Sequence, residues 1–141
     1  MSVKTYDPKN LVVIFGLERI HGFSEGDMIT VKPNGDGSTI YVGADGEVGR
    51  SIDPNGTFEV TISLAQTSAS NDTLSTYREL DRATGKGLLP LAIKDLSGTT
   101  VFTASQAWVK NLPEAKKGKS IDANEWTIYT GNADAFVGGN S

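Results

Sequence analysis

Between Thr57 and Leu64 the chain reads Thr-Phe-Glu-Val-Thr-Ile-Ser-Leu, with Phe58, Val60, Ile62 and Leu64 apolar and every residue between them polar. A period of two puts the apolar side chains on one face of an extended strand, so the segment predicts a strand buried on one side and wetted on the other. Ile29-Thr-Val-Lys32 repeats the alternation. Val12 to Phe15 is more continuously apolar, and Thr39 to Val42, Leu91 to Ile93, Val101 to Val109 and Trp126 to Tyr129 are shorter or more mixed strand candidates. The turn dipeptides Asn34-Gly35, Asp36-Gly37, Asp45-Gly46 and Asn55-Gly56 fall between candidates, where glycine adopts a positive φ at little cost. The expectation is a mainly β chain of roughly seven or eight strands.

One segment departs from this rhythm. Ser70 can cap a helix, Asp72 complements the dipole of its first turn, and Leu74, Tyr77, Leu80 and Ala83 recur every three residues up to Gly85. This predicts a single amphipathic helix ended by a left-handed Gly85. Ala83-Thr-Gly-Lys-Gly87 is therefore a helix stop, and it lacks the Ser or Thr after lysine that a phosphate loop requires.

At 141 residues the chain suits one domain, expected to span 1–141 with residues 1–10 and 131–141 as extensions. It has no cysteine, which removes thiol nucleophiles, disulfides and cysteine metal sites together. A single histidine, His21, cannot form a multi-histidine metal site and is a poor candidate for a general base with no matching nucleophile motif. The carboxylates are spread among turns and polar strand faces, which suits solubility better than paired acid–base catalysis. Asn34-Gly-Asp-Gly-Ser38 with Asp45 imitates a calcium loop but has Thr39 where glycine is needed. No catalytic residue, cofactor or metal is assigned, and the chain is expected not to be an enzyme.

No apolar run is long enough for a signal peptide or a membrane span, so no membrane binding by the chain itself is expected. The triplets Asn55-Gly-Thr57 and Asn71-Asp-Thr73 suit a turn and a helix start. A net charge of −4 argues against tight nucleic-acid binding through a broad basic face. The one basic cluster, Lys110 to Lys119, suits an exposed loop, while Trp108, Trp126, Tyr41 and Tyr129 suit core or interface anchors better than a sugar platform.

The string Val42-Gly-Ala-Asp-Gly-Glu-Val48 followed by Arg50-Ser51, then Gly56 to Ser68 leading into Asn71 to Leu74, resembles the small tail-tube protein family of contractile-tailed bacteriophages. Thr103-Ala-Ser-Gln-Ala-Trp-Val109, the Pro113 to Lys119 loop and Glu125-Trp-Thr-Ile128 are similar to later segments of that family; the first 25 residues and the last ten depart most. The resemblance implies a β-sandwich or partly closed barrel with one flanking helix. It also implies a structural subunit, assembled in the host cytoplasm, that forms hexameric rings stacked into the virion's tail tube. The chain itself, the tail sheath protein, the tape-measure protein and the baseplate are the implied partners, and DNA passes through the lumen without specific binding. A monomeric β-sandwich that binds carbohydrate or protein is the alternative from a different class.

Two surfaces are expected to matter for such an assembly. Pro33 to Asn55 should project as a hairpin arm, with Tyr41, Val42, Gly43, Asp45, Glu47, Val48 and Arg50 as ring-stacking candidates and Ile52 adding apolar surface. The polar strand faces carrying Thr30, Lys32, Glu59, Thr61 and Ser63 are the lumen candidates.

Overall fold

The computed structural model describes residues 3–26, 28–115 and 117–139. After a short 3-10 turn at Pro8–Asn10 come β1 (Leu11–Phe15), β2 (Glu18–Ile20), β3 (Ile29–Pro33), β4 (Ser38–Val42), β5 (Val48–Ile52) and β6 (Phe58–Ala65). Helix α1 (Ser70–Thr84) is followed by β7 (Leu89–Asp95), β8 (Val101–Asn111), β9 (Ala123–Thr130) and β10 (Ala133–Phe136). The chain is mostly strand with one helix, as the alternation and turn spacing predict. It has ten strands among the described residues rather than seven or eight. The shortest, β2 and β10, have three and four residues, too few to establish a period.

The main sheet runs β2-β1-β7-β8-β9-β6-β3, all antiparallel, with β10 added on β8; β4 and β5 form a separate pair. Strand β8 is the spine: one edge pairs with β7, and the other pairs with β10 along Val101–Ala104 and with β9 from Ala107 onward. The β9–β10 corner is held where Gly131 N donates to Gln106 O at 2.9 Å. The sheet curls until Phe23, just past β2, bridges Leu64 on β6. Its end strands β2 and β3 are not paired with each other, so the barrel is not closed.

The tail after Gly131 was expected to stand apart as an extension, but part of it joins the sheet. The open edge of β8 offers unpaired backbone groups that β10 satisfies. Beyond it, Thr99 N donates to Gly139 O and Gly138 N donates to Thr100 Oγ1, both close to 3 Å.

Inside the curl, Val60, Ile62 and Leu64 of β6 are fully buried with Val13 and Phe15 of β1, Leu91 of β7, Ala104 and Ala107 of β8 and Ile128 of β9. Removing this area from water at ~25 cal/mol per Å² is the main force for closing the sheet over itself. The helix seals one opening with Leu74, completely buried, and Tyr77, whose ring meets Phe15 edge-on at 5.1 Å and whose hydroxyl donates to Phe15 O. Burial first, and then the Glu18 charge, raises the Tyr77 pKa. Leu80 is 42% exposed and Ala83 is exposed, so the predicted apolar stripe seals only through the helix's first half.

The helix start differs from the predicted Ser70 cap. Ala69 is the cap residue and makes no side-chain cap bond, while Ser70 is the first helical residue. Its Oγ instead accepts His21 N at 2.9 Å, tying the segment after β2 to the helix. Asn71 supplies the anchor: its Nδ2 donates to Ala65 O and Ser68 O, and its Oδ1 accepts the buried Trp126 Nε1 at 2.9 Å. At the other end Gly85, at φ 68°, donates to Asp81 O and stops the helix as predicted.

Candidate assembly surfaces

The β4–β5 hairpin leaves the sheet where β3 ends opposite β6, at the Pro33–Phe58 pair. Every residue in both its strands is exposed. Its register places Val42 opposite Val48, Ile40 opposite Arg50 and Ser38 opposite Ile52, with Tyr41 facing Gly49 on the alternate rows. Opposed residues share a face, so Ile40, Val42, Val48 and Ile52 lie on one side, with Arg50 between the last two and Ser38 at the end, and Tyr41 lies on the other side. The four aliphatic residues are 76, 60, 67 and 69% exposed, far more than a hairpin packed on its own domain would show. Sequence reasoning grouped Tyr41 with the valines and left out Ile40, although alternation along β4 already separates Tyr41 from Ile40 and Val42; register adds which β5 residues join each face.

Polar contacts shape both ends of the arm. At the tip, Gly43 N donates to Glu47 O, Gly46 N donates to Gly43 O, and Asp45 Oδ1 accepts Glu47 N. Gly46 sits at φ 87°, a conformation a side chain would strain, and this fixes the turn. At the base, the Asp53 carboxylate accepts Asp36 N and Asn55 N, both at 2.9 Å. The Asn55 N–H, and then that of Asp36, holds the Asp53 pKa below its ordinary value. Asn34 thus sits at the base and Asp45 at the tip, so the calcium-like spacing does not converge on one point.

The second surface is the polar face of β3, β6, β9 and the end of β8. Thr30 pairs with Thr61 and Lys32 with Glu59, so four of the five lumen candidates lie in two cross-strand pairs. Ser63 continues the row, sharing a 2.6 Å hydroxyl contact with Ser24. The neighbouring strand adds Tyr129 opposite Glu59, Thr127 opposite Thr61 and Glu125 opposite Ser63, and Trp108 follows opposite Tyr129. Lys110 stands over the Tyr129 ring at 5.1 Å; its contact with Tyr129, and secondarily the Glu59 charge, raises its pKa. Lys110 therefore belongs to this face rather than to the exposed loop with which its charge grouped it. Lys116 of that cluster lies outside the described residues. Lys32 and Lys110 both lie by Glu59, and Glu125 stands further along opposite Ser63, so the patch carries two lysines and two glutamates.

Trp126 is the buried aromatic, at 2% exposure, and Trp108 meets Tyr129 edge-on at 6.5 Å. The His21 backbone ties the segment after β2 to the helix start. Among the described residues no group of three or more His, Asp or Glu side chains is placed to hold a metal ion, and no helix is long and apolar enough to cross a membrane.

Residues 13–138 match the family model of the bacteriophage PhiTE tail tube protein, and the chain belongs to this family. It is also similar to structural protein ORF10 of Pseudomonas phage KPP10, at 32% identity over 144 residues that cover 96% of this chain and 83% of that protein. The protein is a phage tail structural protein of the tail-tube type.

Solved structures share the fold at low identity. A chain in the sheath/tube terminator of the extracellular contractile injection system PVC matches with a TM-score of 0.61 and 13% identity, covering 97% of this chain and 100% of that one. A chain in the PVC sheath–tube complex matches at 0.59 and 13%, covering 94% and 91%. A chain in the virion of a gene transfer agent matches at 0.60 and 10%, covering 94% and 100%.

Proposed function

We propose that this chain assembles into hexameric rings that stack into the hollow tube of a contractile tail, through which DNA passes without being specifically bound. The observation that carries the proposal is the hairpin: a member of a tail tube family projects aliphatic side chains that its own domain leaves uncovered. An isolated two-stranded pair is at best marginally stable in water, and a neighbouring subunit supplies the missing cover. In this reading Tyr41, Val42, Gly43, Asp45, Glu47, Val48 and Arg50 stack one ring on the next, with Ile40 and Ile52 extending the apolar contact.

Thr30, Lys32, Glu59, Thr61 and Ser63 face the lumen. The balance of lysines and glutamates on that face, with hydroxyls between them, offers DNA no continuous cationic track. The role is non-enzymatic; family membership supports it. The tail sheath protein that encloses the tube, the tape-measure protein and the baseplate are its partners in this reading, and assembly takes place in the host cytoplasm.

Negative-stain microscopy after prolonged incubation at high concentration tests the proposal. Tubes of stacked six-fold rings that release duplex DNA at moderate salt are expected. A strictly monomeric species across a wide concentration range would overturn it in favour of a monomeric binding module, and tight, salt-dependent DNA retention would overturn the passive lumen.

A further inference from the structure

A groove of about 580 Å³ lies between the N-terminal 3-10 turn and the segment that follows β2. Leu11, Phe23 and Met28 contribute apolar lining, Lys9 and Arg19 contribute positive charge, and among the described residues no carboxylate lines it. Both cations are exposed. The ion pairs among the described residues, Arg78–Glu79 and Arg82–Glu79, lie on α1, and neither groove cation forms one with a described residue.

The hairpin tip has the opposite character. Gly43 to Glu47 holds two carboxylates and no cation, its remaining residues are glycine and alanine, and the exposed Val42 and Val48 flank it. A narrow acidic turn between two valines complements an apolar trough bordered by lysine and arginine.

Position adds an independent argument. The hairpin emerges at the Pro33–Phe58 end of the β3–β6 pair, whereas Phe23 bridges Leu64 and Met28 precedes Ile29 at the other end. Leu64 lies six positions along β6 from Phe58, roughly 20 Å of extended strand. Donor and acceptor thus lie at opposite ends of one subunit. A contact of that kind is heterologous and propagates head to tail without closing after one step.

We infer that the groove formed by Lys9, Leu11, Arg19, Phe23 and Met28 receives the Gly43–Glu47 tip of a second copy of this chain in the adjacent ring. This deepens the proposed stacking role of the hairpin and rests on it. Asp45 and Glu47 engage Lys9 and Arg19 at the rim, and Val42 and Val48 cover the apolar lining. The pairing sets both the direction and the register of stacking.

The chain's lack of cysteine permits a direct test. Separately made Ala44→Cys and His21→Cys variants are mixed, allowed to assemble and mildly oxidised. Disulfide-linked pairs containing one of each variant, identified by mass, are expected. In parallel, Arg19→Glu or Glu47→Arg alone is expected to slow tube growth at least about tenfold, and the two changes in one chain to restore most of it, as reversed charges do when they face each other.

If tubes form without the mixed disulfide and Arg19→Glu assembles normally, the groove assignment is wrong; failure of the hairpin variants in that same experiment would leave the stacking role intact. If Glu47→Arg and a tip replaced by Gly/Ser both assemble normally, the stacking role itself is wrong, and the groove assignment falls with it.

Discussion

Strand β6 and the β4–β5 hairpin are both extended segments with one apolar row, yet they meet opposite fates. In β6 the row Val60, Ile62, Leu64 is completely buried by the curled sheet. In the hairpin the row Ile40, Val42, Val48, Ile52 is at least 60% exposed. The difference is not one of residue type. Strand β6 has partners on both edges, β3 and β9, and an opposite sheet wall to pack on, whereas β4 and β5 have only each other. Alternation thus shows that a strand has a face to bury but not whose surface covers it. In β6 the cover comes from the same chain, and in the hairpin the proposed cover is another copy.

The largest contrast is expected from placing a charge in each row. Ile62→Asp should abolish folding, because an unpaired carboxylate in the core costs several kcal/mol or more. Val48→Asp should leave the circular dichroism spectrum and melting temperature nearly unchanged and abolish tube formation. Equal loss of folding in both variants would erase the distinction.

Truncation gives the next largest effect. Ile62→Ala should destabilise the monomer by about 2–5 kcal/mol, as large-to-small core substitutions do. Val42→Ala should shift monomer stability by less than about 0.5 kcal/mol while reducing polymer yield, read by urea denaturation and sedimentation.

The anchor of the helix comes third. Trp126→Phe removes the indole donor from Asn71 Oδ1, which Asn124 Nδ2 still contacts at 3.2 Å. A loss of about 1–2 kcal/mol is expected in denaturant melts, with assembly retained at low temperature.

The smallest effect concerns the hairpin base. Because the Asp53 pKa is lowered on folding, its contribution is complete above the ordinary carboxyl value of 3.8 and is lost as pH falls through the lowered folded value. The Asp36 and Asn55 amides should then lose protection on acidification while β6 amides keep theirs. Asp53→Asn should blunt this step, followed by amide NMR.

Much of the fold was legible in the sequence. The β6 alternation, the segments that became β3 and β7 to β9, and the Gly85 stop all rest on local chemistry that the residues carry themselves. Strand β10 was not legible, because Ala133–Phe136 is recruited by a free edge of β8 rather than by a pattern of its own. The Ser70 cap failed for a similar reason: a hydroxyl able to cap the helix is engaged by His21 N from a distant segment. At the surfaces, turn dipeptides identified the hairpin and alternation along β4 separates Tyr41 from Val42, but the match of Val42 to Val48 across the hairpin depends on pairing register. The placement of Lys110 over Tyr129 likewise needs the third dimension, since charge runs say nothing about which face a strand-end lysine joins.

The central claim is that the hairpin's apolar row is covered by another subunit, and hydrogen exchange compared between monomer and assembled tube tests it most directly. In the monomer, β4 and β5 amides should exchange rapidly while β6 amides are protected; in the tube, β4 and β5 should gain protection approaching that of β6. Hairpin amides that exchange equally fast in both states would contradict the account.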